Sequence, residues 1–163
     1  MDAAKFQQLG TETIQQLMYA STATVTMQLM KRGLRTMAIN LKAVNPSATR
    51  MVGPAYTLRY IPAREDLNKL DVFRDRSHPQ RKAVEDCPPG AVMVMDSRKD
   101  ARAASAGAIL VTRMMKRGVA GVVTDGGFRD AARLKIKLLL GIDARRRGSV
   151  RTTHVVGLNF EAG

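Results

Sequence analysis

Residues 118–130 read GVAGVVTDGGFRD, and the fold turns on how this stretch is taken. Its first part, VAGVVTD, is a short apolar run bounded by glycine, the pattern of a strand covered on both faces. Gly126 and Gly127 allow a sharp turn and the approach of a ligand to the backbone, before Phe128 presents Arg129 and Asp130. Upstream, SRKDARAASAGAILVTRMMKRG (97–118) reads as helical. Leu110, Val111, Met114 and Met115 form an apolar stripe, while Thr112, Arg113, Lys116 and Arg117 take the opposite face. Gly118 closes that helix. Before it, AVMVMD (91–96) is another apolar run of strand length, so residues 91–125 read as one βαβ unit with a parallel pair of strands.

The remaining elements extend this unit towards the N-terminus. MVGPAYTLRYI suggests a strand carrying Val52, Tyr56, Leu58 and Tyr60, entered through Gly53 and Pro54 after the turn-like NPSAT (45–49). The charged segment 62–90 reads as surface helix and loop, with Pro88, Pro89 and Gly90 turning into the next strand. At the start of the chain, Thr11 can cap a helix containing Ile14, Leu17 and Met18. Ser21 or Thr22 can begin another, through Met27, Leu29 and Met30, that Gly33 stops. No repeat, low-complexity segment or linker interrupts the 163 residues, which are read as one α/β domain.

Composition narrows the class of function. Apolar residues make up 45% of the chain but aromatic residues only 4%, with no Trp, so Val, Leu, Ile, Met and Ala fill the core. Met93, Met95, Met114 and Met115 read as core filler rather than metal ligands. The single cysteine, Cys87, excludes an intramolecular disulfide framework and a multi-thiolate zinc site. A reducing, cytoplasmic setting is expected, with neither secretory leader nor membrane span. No base is identifiable beside Cys87, so it is not expected to be a nucleophile. His78 is read as a surface cap at a helix entrance, and His154 is assigned no role.

The formal net charge of +13 raises nucleic acid as a partner. It is unevenly spread: residues 131–163 hold seven Lys or Arg against two acids. The densest run, Arg145 to Arg147, has no aromatic neighbours to stack on bases, so a solvated basic tail is the simpler reading.

The chemistry converges on one rim. If the βαβ assignment holds, the strand ends Asp96 and Asp125 lie side by side and the intervening helix begins near them. The small-residue run Ala103–Gly107 then brings backbone N–H groups to that rim, where a carboxylate fits. Arg129 can grip a carboxylate or keto oxygen through its planar fork, and Asp130 offers oxygen to a hard divalent cation, Mg²⁺ in the first instance, with waters completing the shell. The bland alternative has equal weight on local features alone: a strand-end acid, two turn glycines and an exposed Arg–Asp pair.

These residues are also recognisable together. GVAGVVTDGGFRD, preceded by HPQRKAVEDCPPGAVMVMD and DSRKDARAASAGAILVTRMMKRG, resembles the RraA-like family of ribonuclease E regulators and class II 4-hydroxy-4-methyl-2-oxoglutarate aldolases. The resemblance spans about 20–130, with STATVTMQLMKRG similar to the family's N-terminal helices. It implies a swivelling β/β/α domain, assembled as a homotrimer or a dimer of trimers with sites near subunit interfaces. It further implies that Gly107, Ala108, Ile109 and Leu110 bind a small 2-oxo acid largely through backbone amides, that Arg129 contacts the substrate, and that Asp130 anchors Mg²⁺ or Mn²⁺. The metal would stabilise a pyruvate enolate, which aldol cleavage and oxaloacetate decarboxylation share.

Two departures stand out. Aldolases of the family carry an acid at the position of Ala108, so the cradle survives here without that carboxylate, leaving Asp125, Asp100 or Asp96 as substitutes. Residues 131–163 do not align with the family, so a domain incomplete at its C-terminus, through truncation or a shifted reading frame, is expected. Leu138, Leu139, Leu140 and Ile142 could still pack on the sheet. The reading is therefore a metal-dependent lyase of the aldolase or oxaloacetate decarboxylase type. Its alternatives are a non-catalytic regulator of ribonuclease E or another RNA-processing partner and, behind both, RNA binding through the basic tail.

Overall fold

The βαβ unit forms the centre of the molecule. In the computed structural model, which describes residues 9–35, 42–44, 50–62, 66, 71, 74–100, 104–130 and 139–141, eleven elements follow one another along the chain. They are α1 (Thr11–Tyr19), α2 (Thr22–Lys31), β1 (Lys42–Ala43), β2 (Ala55–Arg59), α3 (Pro79–Asp86), β3 (Val92–Asp96), β4 (Ala104–Ala106), α4 (Ala108–Lys116), β5 (Gly121–Thr124), β6 (Gly127–Phe128) and β7 (Leu139–Gly141). Strands β2, β3, β5 and β7 run parallel as neighbours, and β1 closes the far edge antiparallel to β7. A separate two-stranded parallel ribbon joins β4 to β6.

Alternation along β3 explains why so uniform a sequence makes a two-faced strand. Met93 and Met95 join Ala83, Val84 and Cys87 from the α3 side and Val111 and Met114 from α4 in the larger core cluster. Val92 and Val94 pack on the other face with Met51 and Val123. Both faces are thus covered, as the continuous apolar run predicts. The methionines act as filler: Met93 and Met114 are fully buried, and Met115 packs against the cluster from its edge.

Helix α4 carries the expected stripe, with Val111 and Met114 buried and Thr112, Arg113 and Lys116 exposed. It is shorter than its sequence suggests. Ala104–Ala106 is extended rather than helical, because those small residues pair with β6, and the helix starts only after Gly107. Gly118, at φ +84, ends it in the left-handed conformation that glycine adopts without cost.

The charged segment before β3 also departs from a purely surface role. Helix α3 turns Ala83 and Val84 into the core, and it is joined to α4 by Glu85, whose carboxylate accepts from Arg113 Nε at 2.9 Å and Nη2 at 2.8 Å. Arg117 Nη1 adds a contact at 3.5 Å. These cations, Arg113 first, hold the Glu85 carboxyl below its ordinary range. Burial pushes the Cys87 thiol up to about 12, in agreement with its exclusion as a nucleophile.

The N-terminal helices are anchored differently. Ser21 caps α2 by accepting from Thr24 N at 3.1 Å, whereas Gly10, not Thr11, occupies the cap position of α1, with no side-chain acceptor there. Neither helix buries a residue against the described remainder of the chain. The guanidinium of Arg50 donates to the carbonyls of Met18 and Ala20, at the C-terminal end of α1.

After Asp130, Leu139–Gly141 enters the sheet between β5 and β1. Leu139 and Leu140 therefore join the sheet through their backbone, Leu139 opposite Val122 and Leu140 opposite Val123 and Ala43. Leu138, Ile142, the arginine run and His154 lie outside the described residues, as do Ala103 and the NPSAT turn. No helix among the described residues is long and apolar enough to cross a membrane.

Candidate functional site

Parallel pairing of β3 with β5 brings their carboxyl ends together, since Met95 pairs with Thr124 and the next residues are Asp96 and Asp125. Both carboxylates are then consumed by the loop that leaves β3. Asp125 accepts from the backbone N–H of Ser97 at 2.6 Å and of Lys99 at 2.9 Å, and Asp96 accepts from Arg98 N at 2.9 Å and Arg59 Nε at 2.8 Å. The Arg98 amide and the Arg59 guanidinium hold the Asp96 carboxyl below the usual carboxylate range. Arg98 and Lys99 sit at φ +57 and +60, a conformation that costs a non-glycine residue free energy and that these two carboxylates stabilise. Asp96 and Asp125 are thus loop clamps, which is the bland reading of a strand-end acid, and neither is a spare proton carrier for the missing acid at Ala108.

Arg129 and Asp130, by contrast, come to the N-terminus of α4. A Cβ added to Gly107 would lie 3.2 Å from Arg129 Nε, 3.3 Å from its Nη2 and 3.5 Å from Asp130 Oδ2. Both groups therefore sit close over the helix start, where a side chain at Gly107 would make them give by a few tenths of an ångström. The loop is held there by the N–H of Arg129, which donates to the Ala106 carbonyl at 3.0 Å. Arg129 Nε lies 3.9 Å from Asp130 Oδ2, and both side chains face solvent, at 75% and 48% exposure. Asp130 itself adopts φ +64. Gly107 carries no side-chain acceptor, and the first intrahelical bond at this end is Val111 N to Gly107 O. The amides of Ala108, Ile109 and Leu110 therefore lie where the helix supplies no acceptor for them, beside a cation and a carboxylate.

The expected constellation of Gly107–Leu110, Arg129 and Asp130 thus lies together, narrowed to a cradle that begins at Gly107. Two roles need correction. Gly126 is close-packed for an internal reason: a Cβ there would stand 2.5 Å from Ser105 Oγ and 2.6 Å from Ser97 Cβ, so hydroxyl side chains rather than a ligand occupy that approach. His78 occupies the N-cap position of α3, but its side chain makes no capping hydrogen bond.

Sequence reasoning overlooked a group of hydroxyls beneath the site. Ser105 Oγ lies 2.7 Å from Thr124 Oγ1 and 2.6 Å from Ser97 Oγ, and Thr124 Oγ1 accepts from Gly126 N at 2.9 Å. The Ser105 carbonyl accepts from Tyr60 OH at 2.6 Å and Gln80 Nε2 at 2.9 Å. Burial raises the Tyr60 phenol above its ordinary value. The available signal was a lone Ser or Thr inside an otherwise apolar run, because a buried hydroxyl is costly unless hydrogen-bonded.

A divalent cation at Asp130 would find fewer than three protein ligands of the His, Cys, Asp or Glu type, since no group of three such side chains gathers among the described residues. That donor set fits Mg²⁺, which keeps several waters and binds through one or two carboxylates plus substrate oxygens. It does not fit a zinc cage.

The wider comparisons agree with the fold. No curated protein sequence matches the chain. Among solved structures, RraAS2 of Streptomyces coelicolor, described as an unusual member of the RNase ES inhibitor RraA family, superposes with a TM-score of 0.69 at 27% identity, over 85% of this chain and 65% of that one. An uncharacterized protein from Pseudomonas syringae gives 0.67 at 17% identity, over 84% and 58%. The RNA-processing inhibitor RraA from Thermus thermophilis gives 0.58 at 24%, over 82% and 73%. The chain therefore spans 65% and 58% of the first two structures. The family model described as RraA-like, Aldolase/RraA, matches residues 16–157, continuing past Asp130 into the segment that inspection of the sequence leaves unaligned. With most of its length matched, the chain belongs to the RraA-like family, which includes both ribonuclease E inhibitors and aldolases.

Proposed function

We propose that the protein is a divalent-metal-dependent lyase acting on a small 2-oxo acid, with oxaloacetate decarboxylation as its best-supported reaction. The observation that carries this reading is the convergence of Arg129 and Asp130 on the side-chain-free Gly107 at the start of α4. The amides of Ala108, Ile109 and Leu110 bind the substrate carboxylate, aided by the positive end of the helix. Arg129 orients the 2-oxo group through its fork, and its exposure lets it reach a ligand from the solvent side. Asp130 would hold Mg²⁺ or Mn²⁺, whose chemistry when bound is Lewis-acid polarisation of the keto oxygen as the carbon–carbon bond breaks.

Ala108 selects between the two reactions of this site. Aldol cleavage needs a group that removes the proton of the 4-hydroxyl, and Ala108 has no carboxylate, while Asp96 and Asp125 are engaged by the loop, which leaves Asp100 as the one remaining substitute of the three. Loss of CO2 from oxaloacetate passes the bonding electrons to the 2-oxo group and requires no such base. Decarboxylation is therefore favoured over cleavage of 4-hydroxy-4-methyl-2-oxoglutarate. The active form is proposed to be a homotrimer or dimer of trimers, to be read by light scattering. The deciding experiment follows oxaloacetate loss with Mg²⁺ or Mn²⁺ in the native protein and in Asp130→Ala. The variant is expected to fall to the metal-only background, and equal rates in both proteins would remove the claim.

A second reading is a non-catalytic regulator of ribonuclease E, favoured by the inhibitor descriptions of the Streptomyces and Thermus structures. The formal charge of +13 disfavours contact with basic segments of a nuclease. Inhibition of purified ribonuclease E by the protein and by Asp130→Ala alike, without oxaloacetate turnover, would favour this reading. RNA binding through residues 131–163 ranks third and predicts affinity that falls steeply with salt and disappears when those residues are removed.

A further inference from the structure

Three chain segments meet below the candidate site: the loop leaving β3, the β4 strand running into Gly107, and the β5 end running into Arg129 and Asp130. Each contributes one hydroxyl to the same cluster. Ser97, Ser105 and Thr124 stand at 2.6, 2.7 and 3.3 Å from one another, with Ser105 and Thr124 buried. Such a cluster is costly to place in an interior and is retained only if its members satisfy each other.

The bonds around it run outward to the site. Thr124 Oγ1 accepts the N–H of Gly126, fixing the turn that leads to Arg129 and Asp130. Ser105 is two residues before Gly107, and its carbonyl is fixed from the other side by Tyr60 and Gln80. The Ser105–Thr124 bond is therefore the side-chain link between the strand that enters the amide cradle and the strand that delivers the Arg–Asp pair. Gly126 packs so closely on Ser105 and Ser97 that neither strand can shift past the other without opening this contact.

We propose that Ser105 and Thr124 are positioning residues that set the distance between the α4 amide cradle and Arg129 with Asp130. They touch no substrate and act through the backbone. Their use in binding a 2-oxo acid rests on the function proposed above, whereas the positioning itself does not. An error of about 1 Å in such an arrangement is enough to cost a large part of an oriented reaction.

The test compares Thr124→Val, which keeps shape and loses the hydroxyl, with Thr124→Ser, which restores it. Two readouts are taken on the full chain: amide hydrogen exchange resolved by segment, and affinity for pyruvate in the presence of Mg²⁺. Thr124→Val is expected to speed exchange of the protected amides in 107–111 and 126–130, those of Val111 and Arg129, by about tenfold or more while β2 and β3 exchange as in the native protein. Pyruvate affinity should fall alongside, and Thr124→Ser should recover both. Should Thr124→Val fail to fold, Ser105→Ala cuts the same bond at smaller volume change and carries the same expectation. Native exchange in 107–111 and 126–130, or a uniform acceleration across all segments, would overturn the proposal. If the native protein itself binds no pyruvate, the 2-oxo acid reading fails, and the exchange pattern alone decides the positioning claim.

Discussion

Helices α4 and α1 have similar length and similar amphipathic spacing, yet one is a structural pillar and the other buries no residue fully. Val111 and Met114 of α4 are buried against β3 and β5, while α1 and α2 bury no residue and leave Met18, Tyr19, Met27 and Met30 exposed, Tyr19 at 90%. The difference teaches that periodicity marks a face that can be buried, not one that is. A helix draws most of its stability from what covers that face.

The sharpest way to break this contrast is truncation on each side of it. Met114→Ala should destabilise the protein by about 2–5 kcal/mol, because a fully buried side chain leaves a cavity that the sheet cannot collapse, whereas Met27→Ala should stay within about 0.5 kcal/mol. Urea unfolding of both variants reads the comparison directly. Equal losses would mean that α2 is covered in solution as firmly as α4.

Next in size is Gly126→Ala, where the added methyl would meet Ser105 and Ser97 at less than contact distance. A cost of about 1–3 kcal/mol is expected from overpacking. The loss should be accompanied by weaker pyruvate binding if the turn positions Arg129. The same substitution at Gly10, whose Cβ would meet only Thr13 Oγ1 at 4.0 Å, is free of overpacking and should cost only the poorer capping of α1 by alanine, about 0.5 kcal/mol.

Ionisable groups give smaller effects with definite signs. Burial raises the Cys87 thiol from its ordinary 9.0 to about 12, so the unfolded chain ionises first as pH rises. The stability this thiol contributes is complete below about 9 and is lost as pH climbs towards about 12. Cys87→Ala should flatten the alkaline limb of the stability profile, and in the native protein a thiol reagent should react near neutrality only at the rate of opening. Glu85 has the opposite sign. Arg113 depresses its folded pKa, so its contribution is present above the unfolded value and lost as pH falls through the folded one. Glu85→Gln should lower the thermal midpoint slightly near neutrality, with the gap closing in acid. The exposed geometry and salt screening keep the effect small.

Much of the fold was legible because its signals are local. The runs AVMVMD and VAGVVTD, separated by one amphipathic helix and punctuated by Gly118, specify a βαβ unit, and strand pairing follows from it. The ends of the helices were less legible. Ala104–Ala106 has helix-compatible residues, but pairing with Gly127 and Phe128 some twenty residues later draws it into an extended ribbon. Ala83 and Val84 were hidden inside a charged segment because two residues on one turn are too few to make a visible stripe.

The site divides along the same line. Arg129 and Asp130 could be named from residue type, since a planar cation and a carboxylate each announce a capacity, whereas residue type put the free amides at Ala103–Gly107 and only the family resemblance pointed to Gly107–Leu110. What those residues could not announce was which partners are already spent. Asp96 and Asp125 look as reactive in sequence as Asp130, yet their oxygens are taken by amides of the loop that follows β3 and, for Asp96, by the Arg59 guanidinium.

By itself, then, the sequence determined the parallel unit at the centre of this protein, its apolar faces and the residue types available at one rim, because short-range periodicity and glycine punctuation act within a few residues. Only the tertiary structure decided that Ser97, Ser105 and Thr124 meet under that rim, that Gly126 serves packing, and that the faces of α1 and α2 are at most half-buried among the described residues. Those outcomes depend on contacts between segments far apart in the chain, and no local pattern encodes which distant surface arrives to satisfy a hydroxyl or cover a helix.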